Sequence, residues 1–184
     1  MRLRVRVTQH RVPVRTLAGA GAAVVFAALA LAAPGVAAAP GLPREGVFVP
    51  GRSLAGVSVG MTRAEVREAW GSRLGVCRGC THATWYFNLR PFEPQGSGVE
   101  FRRGRVARVF TLWRPRGWRT DSGLVLGARS DEIVASYPDL HTIACPGYTA
   151  HVPTDEPRVV SAFYVFRGRL WAFGLVRRGA PLCL

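Results

Sequence analysis

Cys77-Arg78-Gly79-Cys80 is the one short motif of this chain with a catalytic precedent. A Cys-x-x-Cys pair serves a thiol oxidoreductase when it opens a helix behind a strand, because the helix N-terminus stabilises the attacking thiolate. Here the motif follows a helical pattern and precedes a strand-like one, so it reads as a structural disulfide in a tight loop. Cys145 and Cys183 complete a set of four with three pairings open. Cys77 with Cys80 and Cys145 with Cys183 is the preferred set. Only two residues intervene in the first pair, and the second would tie the last strand to a mid-chain loop.

Other chemistries find less support. Zinc needs four ligands, and Cys77 and Cys80 would have to recruit Cys145 and Cys183, or His82, His141 and His151, across the fold. A second Cys-x-x-Cys is absent, and no metal is expected. Gly96-Ser97-Gly98 lacks the Gly-x-Ser-x-Gly frame of a nucleophile elbow and reads as a turn. The carboxylate pairs Glu65 with Glu68 and Asp131 with Glu132 fall in first helical turns, where capping and the helix dipole account for them. No catalytic residue and no cofactor are expected.

Arginine and aromatic residues interleave from Arg90 and Phe92 through Phe101-Arg102-Arg103 to Trp113-Arg114 and Trp118-Arg119. Such a run suits a surface that combines stacking with charge, for a glycan, a single-stranded nucleic acid or an acidic protein. Strand alternation offers the other reading, in which the rings face a core and the arginines snorkel outward. The residues carried forward as partner-binding are Trp85, Tyr86, Arg90, Phe92, Trp113, Arg114, Trp118 and Arg119.

The elements that must position these residues come in two copies. Gly56 to Gly60, followed by Glu65-Val66 and Ala69-Trp70, recurs 67 positions later as Gly123 to Gly127, followed by Glu132-Ile133 and Ser136-Tyr137. Each copy opens with a short alternation that ends at glycine, and a helix start follows. Thr62 with Glu65 makes a capping box, and Ser130 caps the second helix with Asp131 and Glu132 in its first turn. Val66, Ala69, Trp70 and Leu74 form one apolar stripe, Ile133 and Tyr137 another, and Gly71 and Pro138 end the helices.

Helices this short need a larger partner. Trp85, Phe87 and Leu89 alternate with Tyr86 and Asn88, and hairpins follow around Gly104 and Gly168, 64 positions apart. The expected fold is α+β: two tandem repeats, residues 51–120 and 121–184, each a short helix packed on an antiparallel β-meander. Pro115, Gly117 and Asp121-Ser122-Gly123 mark the junction. The proline- and glycine-rich residues 39–50 read as an irregular lead-in with no core.

The pattern Val-x-Val-Gly-Met-Thr-x-x-Glu-Val-x-x-Ala-Trp-Gly at Val57 to Gly71 resembles the opening of the SmpA/OmlA repeat, the BamE-like small outer-membrane lipoproteins. Its duplication, with cysteines after each helix, is similar to the secreted beta-lactamase-inhibitor-protein fold. The resemblance implies a non-enzymatic binding scaffold whose concave sheet presents aromatic and polar side chains to a protein partner. Two features depart from it: no cysteine stands at a lipid-attachment position, and no inhibitory residue can be carried over.

The N-terminus sets the compartment. Arg2, Arg4, Arg6, Arg11 and Arg15 precede an uncharged run from Leu17 to Ala33, and small residues follow around Ala38. That order is a signal peptide over residues 1–38, or an uncleaved anchor if cleavage fails. The remaining residues carry twenty arginines and eleven acids, a formal charge of +9, and the chain has no lysine. Outside the cytoplasm such a domain meets acidic proteins and anionic envelope components before nucleic acid. Codon bias toward arginine explains the same excess without any role. The expectation is a secreted or extracytoplasmic protein-binding module with an unidentified partner, touching membrane only through an uncleaved leader. Its alternatives are a thiol–disulfide oxidoreductase at Cys77 and Cys80 or a charge-driven binder of the cell wall or membrane surface.

Overall fold

Runs that alternate in twos are strands in the computed structural model, which describes residues 41–87, 95–154, 156 and 158–184. Every described residue belongs to one compact unit within Val36–Leu184. The proposed signal peptide therefore lies outside the described residues.

In chain order the elements are β1 (Glu45–Val49), β2 (Ser53–Leu54), α1 (Arg63–Trp70), β3 (Gly75–Val76), β4 (Ala83–Phe87), β5 (Gly96–Arg102), β6 (Arg105–Leu112) and β7 (Gly117–Thr120). They continue with α2 (Ser130–Ser136), β8 (Leu140–Cys145), β9 (Tyr148–Pro153), β10 (Val159–Phe166) and β11 (Arg169–Arg177). Eight strands form one antiparallel sheet in the order β3-β4-β5-β6-β11-β10-β9-β8. A smaller sheet runs β2-β1-β7, with β1 and β7 parallel. The fold is α+β, with both helices packed on the same side of antiparallel strands.

The core lies between the helices, the small sheet and one face of the large sheet. Val66 and Trp70 of α1 and Ile133 of α2 are fully buried there. Trp70 meets Phe87 at 5.2 Å and Trp118 at 5.3 Å between ring centroids, and its indole N–H donates to Ala55 O at 2.9 Å. Phe48 stacks on Phe173 at 5.1 Å and meets Phe163 edge-on at 5.5 Å.

One clamp occurs twice. Gly60 N–H donates to Val106 O, Val106 N–H to Met61 O, and the Arg105 guanidinium to Gly60 O. In the second half Gly127 N–H donates to Leu170 O, Leu170 N–H to Ala128 O, and Arg169 to Gly127 O. Both clamps hold a hairpin turn, Arg103-Gly104 or Arg167-Gly168, in which both central residues have positive φ. Only a type I′ turn has that combination, and glycine takes its second position without strain. The halves are nonetheless unequal, since β3 has two residues where β8 has six.

Four expectations need correction. Residues 45–49 of the supposed irregular lead-in are β1, and Phe48 is fully buried; parallel pairing with the distant β7 supplies partners that local composition cannot show. Gly96-Ser97-Gly98 is the start of β5 and not a turn, paired with Thr111 and Phe110 of β6. Gly117 belongs to β7, where Trp118 joins the core, and not to a bare junction. Ser130 is the first residue of α2 and not its cap: Arg129 holds the N-cap position with no capping bond from its side chain, which pairs with Asp131 instead, while Ser130 Oγ turns to His151 Nε2 at 3.3 Å.

Candidate functional site

The large sheet has a second face, free of helices, and side chains of opposite parity line it. On β4 the pleat sends Trp85 and Phe87 into the core and Thr84 and Tyr86 to the other side. β5 and β6 continue that side with Glu100, Arg102, Arg108 and Phe110, and β11 adds Trp171. Phe110 lies directly over Gly98, where an added Cβ would stand 2.4 Å from the ring. Tyr86 meets Phe110 edge-on at 6.2 Å.

These side chains wall a cleft of about 570 Å³, which Cys80, Thr81 and His82 and also Pro181, Cys183 and Leu184 border. Glu100 is the sole acidic side chain among the described lining residues. It faces Arg102 Nε at 3.1 Å, Arg108 Nη1 at 3.7 Å and His82 Nε2 at 3.9 Å. Two guanidinium groups thus face one acidic side chain in the cleft. Burial raises the Tyr86 phenol above the usual range, and it stays protonated as a donor.

Beyond the cleft the face is apolar and aromatic. Ala150, Val152, Ala162, Tyr164 and Ala172 form a separate buried cluster on this side, with Tyr148 and Trp171 against it. Trp171 packs with Tyr148 at 5.3 Å, Tyr164 at 6.2 Å and Trp113 at 5.8 Å. Burial likewise raises the phenols of Tyr148 and Tyr164.

Cys77 Sγ is bonded to Cys80 Sγ, and Cys145 Sγ to Cys183 Sγ. The first pair sits in the loop between β3 and β4 and opens neither described helix, so it lacks the helix N-terminus that stabilises the thiolate of an oxidoreductase. Among the described residues no group of three or more His, Cys, Asp or Glu side chains could hold a metal ion.

The sequence-derived binding residues do not gather on one face. Trp85 is buried against Phe101, with the Arg67 guanidinium 4.6 Å from its ring centroid. Trp118 is fully buried, and its indole N–H donates to Pro43 O at 2.9 Å. Tyr86 lines the cleft, and Arg119 is exposed on β7 of the smaller sheet. Trp113 is exposed at 45 %, and Arg114 Nε donates to Gln95 Oε1 at 3.0 Å. Arg90 and Phe92 lie outside the described residues.

No family model matches the chain, and no curated protein matches it. Solved structures are similar to parts of it. An extracellular protein containing a SCP domain from Bacillus anthracis is 10 % identical with a TM-score of 0.47, covering 65 % of this chain and 44 % of that one. A DUF4309 family protein from Bacillus subtilis is 12 % identical with a TM-score of 0.41, covering 64 % of this chain and 78 % of that one. The uncharacterized protein yfeY from Escherichia coli is also 12 % identical with a TM-score of 0.41, covering 75 % and 99 %. Likenesses this distant assign no function.

The sequence reading missed Phe110, Trp171, Tyr148 and Tyr164 as members of the face. Period-two alternation on β4 to β6 carries the signal for Phe110, because it shares parity with Tyr86 across two paired strands. Trp171 is the unpaired residue of the bulge opposite Tyr164/Val165, which shifts parity within β11 and hides it.

Proposed function

We propose that this chain is a secreted, non-enzymatic protein-binding module that docks its partner on the helix-free face of the large sheet. The observation that carries the reading is the cleft itself, where Tyr86, Phe110 and Trp171 stand beside Arg102 and Arg108 around the single acidic side chain, Glu100. Aromatic rings and arginines are the side chains that most often anchor a protein interface. Two arginines beside aromatic rings suit a partner loop with an acidic side chain next to an apolar one. The scaffold is two related helix-and-meander units in the manner of the SmpA/OmlA and beta-lactamase-inhibitor-protein folds, a relation supported by the clamp that recurs at Gly60 and Gly127. Of the sequence-derived residues, Tyr86, Trp113 and Arg114 fit this role best, and Trp85 and Trp118 serve the core.

The test is capture from culture supernatant by the chain, repeated with Tyr86→Ser and Arg102→Ser and read by mass spectrometry. A partner retained by the parent chain and lost from both variants, each still folded under the capture conditions, supports the reading. Capture that ignores both substitutions overturns it. Raised salt weakens the ionic share of such a complex and leaves the aromatic share.

A further inference from the structure

Residues 178–184 leave β11 and cross the helix-free face as a strap between two cavities. Pro181, Cys183 and Leu184 border the cleft described above. Ala180 and Leu182 border a second cavity of about 350 Å³ on the far side of the strap, walled in part by Val152 and Val160. Side chains from three strands donate to main-chain oxygens of the strap. Arg108 Nη2 donates to Pro181 O, Tyr164 Oη to Leu182 O at 2.8 Å and Tyr148 Oη to Leu184 O at 3.0 Å. Leu182 and Leu184 pack against the apolar cluster of β9, β10 and β11. Cys183 is bonded to Cys145 at the end of β8.

Apart from the disulfide, the strap meets the face through main-chain oxygens, the Leu184 N–H, which donates to Tyr148 Oη, and apolar side chains, all of which an extended apolar segment can offer. The match is also incomplete. Arg108 Nε and Trp171 Nε1 are buried and have no acceptor, although the Arg108 side chain is only 9 % exposed. A buried donor without a partner is costly, so the strapped arrangement leaves two donors for a better ligand to satisfy.

We propose that this face is a groove for an extended apolar peptide, filled in cis by residues 180–184, and that the Cys145–Cys183 bond sets whether the groove is closed or open to a partner segment. This deepens the docking reading above and rests on it by naming what the partner presents there. Opening needs an external dithiol, which becomes a disulfide while Cys145 and Cys183 take up two electrons and two protons as thiols. The strap then remains joined at Arg177 and competes only at the millimolar effective concentration of a short tether, which a partner in excess overcomes.

The test uses the full chain, ¹⁵N-labelled, as the oxidised wild type and as the Cys145→Ser/Cys183→Ser variant. The probe is a synthetic peptide of residues 178–184 with serine in place of cysteine, titrated through the millimolar range. The expected result is a saturable shift of the Trp171 indole N–H resonance in the variant and none in the oxidised wild type. An equal response in both, or none in the variant, overturns the proposal. The indoles of Trp70 and Trp118 lie on the core side, bonded to Ala55 O and Pro43 O, and report whether the variant is folded. If they lose their dispersion, the titration is repeated on a Cys77→Ser/Cys80→Ser chain before and after reduction, so that only the Cys145–Cys183 bond opens, and the same two outcomes decide. Because the probe is the chain's own segment, a negative result leaves capture through Tyr86 and Arg102 standing. Failed capture, conversely, leaves the groove standing.

Discussion

At Trp85 and Tyr86 the strand pleat sends one ring into the core and the next into the cleft, so adjacent aromatic residues answer to different selection. Trp85→Ala removes a ring packed on Phe101 and is expected to cost about 3–5 kcal/mol, whereas Tyr86→Ser costs well under half of that, as urea unfolding will show. This division was legible in the sequence as alternation, but which parity faced the core was not, because both sets are aromatic. His151 makes a second residue-scale case. Its ring lies between Thr142 Oγ1 at 3.0 Å and Ser130 Oγ at 3.3 Å, and burial lowers its pKa below the usual imidazole value. A group with a depressed folded pKa is charged more readily in the unfolded chain, so its contribution is present above the unfolded pKa and is lost as pH falls through the folded one. Stability should therefore decline from about pH 7 toward pH 5. His151→Gln should flatten that part of a pH series of unfolding midpoints, and an unchanged slope would assign the decline to another group.

The two helices show how far local sequence reaches at the scale of an element. Thr62 and Glu65 form the capping box that their spacing implied: Thr62 N–H donates to Glu65 Oε2 at 2.6 Å and Glu65 N–H to Thr62 Oγ1 at 3.3 Å. Ser130 looked equivalent, yet tertiary contact with His151 draws it one position into α2 and away from capping. Thr62→Ala should thus cost about 1 kcal/mol and Ser130→Ala less, because only the first loses a cap. Denaturant midpoints of the two variants decide it, and equal losses would mean that α2 is capped in solution. β1 marks the opposite limit. Val47-Phe48-Val49 is strand-like by residue type, but the prolines and glycines around it mask the signal, and the parallel partner of Phe48, Thr120 on β7, lies far along the chain. Core placement of Phe48 follows from that non-local pairing, which a reading by local composition cannot supply.

Across the whole molecule, the β6–β11 pairing joins the two meanders into one sheet, and the two disulfides constrain that sheet unequally. The Cys77–Cys80 bond closes a loop of sequence separation 3, whereas Cys145–Cys183 spans 38 residues that include β9, β10 and β11. Loop-closure entropy gives about 1.5 kcal/mol for the short bond and about 4 kcal/mol for the long one. Cys145→Ser/Cys183→Ser should accordingly lower the unfolding free energy by more than twice the effect of Cys77→Ser/Cys80→Ser, in urea melts read by tryptophan fluorescence. The strap adds a term that works against this ordering. Releasing it lets Arg108 Nε and Trp171 Nε1 reach water, and each recovers part of the cost of a buried unpaired donor. A measured loss well below the loop-entropy figure, with the core indoles of Trp70 and Trp118 unperturbed, would mean that the strap is held largely by its covalent bond. A loss at or above that figure would mean that its main-chain contacts to Arg108, Tyr148 and Tyr164 hold it unaided, and that reduction alone does not open the groove.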